Sequence, residues 1–310
     1  MFNLIKNILK KIKFLNLIKD LIRTKPLDST LINILPDIVC IDVGASYFEH
    51  YKWRIFLKSK KTLWIASDPN FSNLDYFKNI NYNCRIKTIK DAIHIREGLI
   101  DINITNIDSG SSVKSIEIPE IMKMRVDQNY FFPLKNTKIN ATTINNLLND
   151  KINVDVPVFI KLDTQGSEFD IIKSIENLIK NNQILGIETE SSLVADPCYK
   201  DGSKFHKINE FLEGNNFELI KLDVFTMKNS LEKKNNSFIP NECDSVFAIK
   251  QSEIKNLDLD KKKALLAFYY CYSLYQEMDI IIENNPDLKN FLINQNHLMK
   301  IKKEIYKKIN

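Results

Sequence analysis

The sequence predicts an α/β fold, a mainly parallel sheet with helices on both faces, followed by a tail of helices alone. Three observations predict it. From residue 38 onward, short apolar runs of strand length alternate with segments of helical spacing. Each of the first five runs ends close to an acid: Asp42, Asp68, Asp91, Asp163, and Glu188 with Glu190. After Leu257 the pattern is helical only. At 310 residues and 44% hydrophobic, the chain can bury the core of one large domain with appendages.

The elements follow in chain order. In "MFNLIKNILKKIKFLNLIKDLIRTK", residues 1–25, Leu4, Ile5, Ile8, Ile12, Leu15 and Ile22 recur at roughly helical spacing among lysines. Six lysines and Arg23 against Asp20 give this stretch a net +6, against +5 for the whole chain, so the remainder sums to −1. Two readings stay open: a helix packed on its own domain, or a basic helix in peripheral contact with an anionic inner membrane surface. The lysines interrupt any signal-peptide core, and no apolar run reaches membrane-spanning length. With a linker through Pro36, residues 1–36 precede an α/β domain over 37–250 and a C-terminal helical extension over 251–310.

Within the domain, Ile38 to Val43 reads as a strand, Tyr47 to Lys58 as a helix and Thr62 to Ser67 as a second strand. A short helix near Asn73 to Lys78 leads to a third strand at Cys84 to Ile89. "REGLIDINIT" and "NTKINATTINNLL" suggest a hairpin-like segment and a strand running into a helix. Val158 to Leu162 is the fourth strand, and Phe169, Ile171, Ile172 and Ile175 give its helix. "QILGIETE" is the fifth. "FHKINEFLEGNNFELIKLD" is a helix closed by Gly214 and then a sixth strand, and "CDSVFAIK" is the seventh. The polar stretch 223–242 reads as a loop between the last two. The helices after Leu257 are apolar on too many sides for free surface helices. They are expected to pack against the domain or against another subunit as a homo-oligomer contact.

Composition narrows the function. The body shows no basic stripe, which disfavours a nucleic-acid partner. The five cysteines are odd in number, scattered and without a CxxC pair, which suits a reducing, cytoplasmic setting better than a disulfide framework.

In an open parallel sheet, ligands bind beyond the carboxyl ends of the strands. The acids at these five strand ends therefore read as the rim of a site. The first turn carries Gly44 but no full GxGxxG, and there is no P-loop. A phosphate-poor, hydroxyl-rich, cationic ligand fits better, and S-adenosylmethionine is such a molecule. Asp42 stands just before the turn at Gly44, Ala45 and Ser46, where the methionine end would approach the backbone. Asp68 is placed to accept the ribose hydroxyls. Asp91 suits the adenine amine, with Ala92 and Ile93 as apolar contacts.

"CIDVGAS", "SDPN", "IKLDTQGSEFDIIKS", "GIETE" and the late "CDSVFAI" occur in the order seen in the FkbM-type methyltransferases, and the chain resembles that family over about residues 37–250. The family's first motif usually carries a further glycine, where this chain has Phe48. The resemblance implies a class I methyltransferase (Rossmann-like) fold of seven strands with the last antiparallel. It also implies O-methylation, often of sugar hydroxyls on glycans or natural products.

Methyl transfer to oxygen needs an aligned hydroxyl and a group to take its proton. Asp163, after the fourth strand, is the first candidate base or orienting group. His50 is the second, since its ordinary pKa suits proton transfer near neutrality. Glu190 is a candidate substrate contact, and no compact metal-ligand cluster is apparent. Glu168 either contacts substrate or holds its loop. In "NIDSGSSVKS", Ser111 and Ser112 belong either to a solvated connection or to a lid that contacts sugar. The acceptor expected is a carbohydrate of a cell-surface polysaccharide or related glycoside. A NAD-linked sugar-modifying enzyme and a non-catalytic assembly module are the rival readings.

Overall fold

The computed structural model describes residues 26–45, 50–78, 82–117, 133–149, 155–195, 197–228 and 238–309. The expected helix of residues 1–25 lies outside them. The described chain begins with α1 (Pro26–Ile34) and β1 (Ile38–Val43). A 3-10 turn (Tyr51–Trp53) and the short α2 (Arg54–Leu57) lead to β2 (Thr62–Ser67), a 3-10 segment (Phe71–Lys78) and β3 (Arg85–Ile89). Three strands then leave the main sheet: β4 (Ala92–Ile93), β5 (Gly98–Thr105) and β6 (Pro133–Thr142). The main sheet resumes through α3 (Ile144–Asn149), β7 (Val158–Leu162), α4 (Glu168–Ser174), α5 (Glu176–Lys180) and β8 (Ile184–Ser192). It ends with α6 (Phe205–Gly214), β9 (Phe217–Lys228) and β10 (Phe238–Ile249), followed by the short α7 (Gln251–Ile254).

The seven strands lie in the order β3-β2-β1-β7-β8-β10-β9. Neighbours from β3 to β8 pair in parallel, and β10 runs antiparallel to both β8 and β9. The expected α/β architecture is present, with the reversal at the last strand that defines the class I methyltransferase fold.

Because side chains alternate along a strand, each strand feeds two cores. Val39, Ile41 and Val43 of β1 join Val158, Ile160 and Leu162 of β7 beneath Ile144, Ile171, Ile172, Ile208 and Leu212 of the helices on one face. Cys40 and Phe159 point to the other face, where Trp53, Phe56 and Phe268 cover them. Phe268 belongs to α8 (Leu259–Cys271), the first long helix of the tail. Its ring stacks on Phe159 at 4.5 Å between centroids and 7° between planes. Gly186 of β8 makes room for it, since a Cβ there would lie 2.5 Å from the ring. The tail is thus the second helical layer of the sheet, completed by α9 (Tyr275–Asn284), α10 (Pro286–Asn294) and α11 (Leu298–Ile309).

Four expectations are corrected. The stretch after residue 25 is no linker: α1 buries Leu27, Leu31 and the following Leu35 against the tail, and its buried Asp28 accepts a hydrogen bond from Tyr270 at 2.7 Å. Residues 50–57 form the 3-10 turn and α2 rather than one long helix, and 47–49 lie outside the described residues. The helix expected at Asn73 to Lys78 is a 3-10 segment. Residues 223–228 and 238–242 are strand rather than loop, because β9 and β10 continue as a two-stranded ribbon past the end of β8, and 229–237 lie outside the described residues. Val224, Phe225 and Thr226 of β9 are exposed in succession, without the alternation that marks a half-buried strand.

Candidate active site

A cleft of about 490 Å³ opens beyond the carboxyl ends of β1, β2, β7 and β8. The separate sheet, in the order β4-β6-β5, forms its opposite wall through Ile102, Ile104, Thr137 and Ile139. This is where an open parallel sheet places its ligand.

The end of the cleft above β1 and β2 carries the residues expected to hold the donor. Gly44 has φ +73°, and a Cβ on it would lie 1.9 Å from the Asp163 carbonyl oxygen. A side chain is therefore excluded both by backbone conformation and by space. The turn after β1 is pressed against the turn after β7, and the Gly44 and Ala45 amides both donate to the Ser67 carbonyl, at 2.9 and 3.1 Å. Ser46 lies outside the described residues, as does Phe48.

Asp68 is buried at the cleft wall. Its Oδ1 accepts from the Asn70 amide at 2.8 Å and from Asn73 Nδ2 at 3.3 Å, while Oδ2 has no partner among the described residues. Burial outweighs these bonds and pushes the carboxyl up to about 6. Ala92 and Ile93 line the same end. Asp91 is half-buried and stands outside the lining, with its backbone carbonyl accepting from Ser67 at 2.8 Å. Asp42 lies deeper, 1% exposed, and neither of its oxygens accepts a hydrogen bond among the described residues.

The end above β7 and β8 is organised by charge. Asp163 Oδ2 accepts from Lys161 Nζ at 3.2 Å, and its Oδ1 accepts from Gln165 Nε2 at 2.9 Å. The same Gln165 nitrogen donates to Glu190 Oε2 at 2.7 Å, and Tyr199 donates to Gln165 Oε1 at 2.7 Å. Gln165 stands in the left-handed region at φ 57°, a conformation that costs a non-glycine residue free energy. Burial would raise the Asp163 pKa, but Lys161 and Gln165 outweigh it and hold the carboxyl below its ordinary value. Glu190 moves the other way. Burial, then the charges of Asp163 and Glu242, push it well up.

Several expected roles change. His50 does not line the cleft: its Nε2 lies 2.6 Å from Glu188 Oε2, and it is withdrawn as a base. Glu188 also accepts from Lys52 at 2.8 Å and from the Tyr272 hydroxyl, so the strand-end acid of β8 anchors the tail rather than a ligand. Burial opposes its ionisation, yet His50 and Lys52 hold it well below the usual carboxylate range. Glu168 is withdrawn as a substrate contact. It folds inward, 1% exposed, accepting from the Thr164 amide at 2.7 Å and the Gly166 amide at 3.0 Å. That closes the "DTQGSE" turn. Ser112 also stands in the lining, but it is 1% exposed and its hydroxyl donates to the Gln165 carbonyl at 2.6 Å, so it supports the turn. Ser111 lines the cleft and accepts from the Thr105 amide at 3.2 Å.

Sequence reasoning missed Lys161, Gln165, Asn73 and Glu242. Lys161 carried a signal, a lone charge inside the apolar strand "VFIKL". Glu242 was hidden in the stretch read as loop. Among the described residues, no group of three or more His, Cys, Asp or Glu could hold a metal ion.

The cleft fits S-adenosylmethionine. The unpartnered Asp68 Oδ2 is an acceptor for hydroxyls, and Ala92 and Ile93 provide an apolar surface beside it. Five acids (Asp68, Asp108, Asp163, Glu190 and Glu242) against Lys135 alone favour a cation and disfavour a phosphate among the described lining residues.

No curated protein matches this sequence. Among solved structures, the chain is similar to a precorrin-6y C5,15-methyltransferase from Geobacter metallireducens GS-15, at 14% identity and a TM-score of 0.31, covering 74% of this chain and 92% of that one. It is similar also to magnesium protoporphyrin IX methyltransferase (ChlM) from Synechocystis PCC 6803 with bound SAH. That match has 9% identity and a TM-score of 0.30, covering 69% of this chain and 75% of that one. Residues 42–219, more than half of the chain, match the methyltransferase FkbM domain. With that match joined to the strand order and the donor-side cleft, the chain belongs to the FkbM methyltransferases, whose methyl donor is S-adenosylmethionine.

Proposed function

We propose that the acceptor is a sugar hydroxyl, on a cell-surface glycan or related glycoside, and that the product is a methyl ether. The observation that carries this reading is the Asp163–Gln165–Glu190 chain at the cleft surface. When bound, S-adenosylmethionine supplies an electrophilic methyl group on a positively charged sulfur. The acceptor oxygen forms its new bond to carbon as the carbon–sulfur bond breaks and the sulfur leaves as a neutral thioether; the hydroxyl must lose its proton, and Glu190 takes it. Both Asp163 oxygens are already engaged, whereas Glu190 has only Oε2 bound to Gln165. A carboxyl raised by burial and by neighbouring acids is also the better proton acceptor near neutral pH. Asp163 then orients the hydroxyl, and Gln165 fixes the spacing of the two carboxyls.

The lining supports a polyol rather than a nucleobase or an aromatic acceptor. Among the described residues it holds Ser109, Ser111, Ser167, Thr137 and Thr164 but no aromatic side chain on which a base could stack. The aliphatic wall of β5 and β6 suits the apolar faces of sugar rings. Incubation with methyl-labelled S-adenosylmethionine and a panel of simple methyl glycosides tests the reading. Base-stable label in the glycoside is the expected result. Calorimetric binding of the donor with transfer only to an amine or carboxylate acceptor would overturn it.

A further inference from the structure

Lys161 is placed where an apolar residue would be ordinary. Its strand neighbours Ile160 and Leu162 are fully buried, and alternation puts Lys161 on the same face as Phe159, below the cleft. Pairing of β1 with β7 sets it directly beside Asp42. Its Nζ lies 3.7 Å from Asp42 Oδ1 and 3.2 Å from Asp163 Oδ2. The Lys161 side chain is largely withdrawn from water, 17% exposed, and a cation held there between two carboxyls carries a desolvation cost that stability alone does not explain, since apolar replacements of buried ion pairs are often neutral or stabilising.

We propose that Lys161 is a positioning residue for methyl transfer: bridging Asp42 and Asp163, it fixes the Asp163 carboxylate so that Glu190 takes the acceptor proton. This rests on the assignment of Glu190 as proton acceptor. The other charged groups around the chain are acids apart from His50, which acts on Asp42. Glu188 of β8 faces Lys161, while Glu242 and Asp244 of β10 and Glu168 of the turn act on Glu190. Among the described residues Lys161 is the cation in contact with Asp163, and without it two neighbouring carboxyls would compete for one proton. Burial pushes the ammonium down, but Asp163 and Asp42 outweigh it and hold Lys161 above its ordinary value, so it stays charged across the working range. Asp42 is its second ionic contact, without a hydrogen bond, and burial outweighs Lys161 there and holds this carboxyl above its ordinary value.

The test compares full-length wild type with Lys161→Met, Lys161→Arg and Asp42→Asn. Asp and Glu are labelled with carboxyl ¹³C and titrated by NMR, and kcat/KM with methyl glycosides is followed against pH. In Lys161→Met the Asp163 and Glu190 titrations should move up by about one pH unit or more, and the acid limb of the rate profile should move with them. Lys161→Arg should restore most of the shift. Asp42→Asn removes a competing carboxylate and should move the same titrations down. Unmoved titrations in folded Lys161→Met overturn the proposal. If that variant does not fold, unmoved titrations in Asp42→Asn overturn it instead. Titrations that move while the acid limb stays support the role of Lys161 in setting the charges, and they overturn Glu190 as the proton acceptor.

Discussion

Asp68 and Asp163 follow the ends of parallel strands in one sheet and line one cleft, yet their surroundings differ in kind. Asp68 is held by neutral donors, the Asn70 amide and the Asn73 side chain, and keeps Oδ2 without a partner. Asp163 is held by a charge, Lys161, on one oxygen and by Gln165 on the other. Burial therefore wins at Asp68 and raises it to about 6, whereas at Asp163 the counter-charge wins and lowers it. A strand-end acid is only a position. What it does is set by whether a cation shares its burial: the unpaired acid can receive a ligand's hydroxyls, and the paired one arranges a neighbour.

The largest effect expected from that contrast is at Glu190. Glu190→Gln keeps the shape and the hydrogen bond to Gln165 but removes the proton acceptor. Its kcat should fall roughly 10²–10⁴-fold, with donor affinity nearly unchanged by calorimetry. A Glu190→Gln enzyme within a few fold of wild type would shift the proton to Asp163 and erase the distinction between the two ends.

Much of this site was legible because it is local. The alternation of strands and helices, the acid after each run, Gly44 and the "DTQGSE" turn all lie within a few residues of the chemistry they signal. What stayed hidden depends on partners far along the chain. His50 looked like a base until Glu188 took its Nε2 at 2.6 Å, 138 positions away. Gly186 and Phe268 explain each other only once the tail is laid on the sheet. Glu168 sits five residues past Asp163, a spacing that fits a second catalytic acid equally well, and only the inward fold of the turn decides against it. Two prolines bracketing α1 made a buried helix read as a linker.

A smaller effect is expected at the other end. Asp68→Ala removes the acceptor offered to the donor's hydroxyls, worth about 1.5–3 kcal/mol for hydrogen bonds to a charged group. The dissociation constant for S-adenosylmethionine should rise by roughly 10–150-fold while the variant stays folded by circular dichroism. Asp163→Asn, measured in the same way, should bind the donor almost as wild type does. Equal losses in the two variants would mean that the ends do not divide the work between donor and acceptor.

The finest test uses protons alone. Asp68 is raised from its ordinary 3.8 to about 6 in the folded protein without donor. By linkage, its protonation favours the folded state. That contribution is fully present below 3.8 and is lost as pH rises through about 6. Donor binding has the opposite sign, because hydroxyls donate best to the ionised carboxylate. Affinity should therefore be flat above about pH 6 and fall by up to about tenfold per pH unit below it, in calorimetry at constant ionic strength. Asp68→Asn keeps an acceptor for the Asn70 amide but cannot ionise, so its affinity should be weaker and its pH profile flat. Asp163, held ionised by Lys161, should add nothing to the slope in this window. If Asp68→Asn retains the wild-type slope, the titrating group is elsewhere, and Asp68 is no longer the acid that receives the donor.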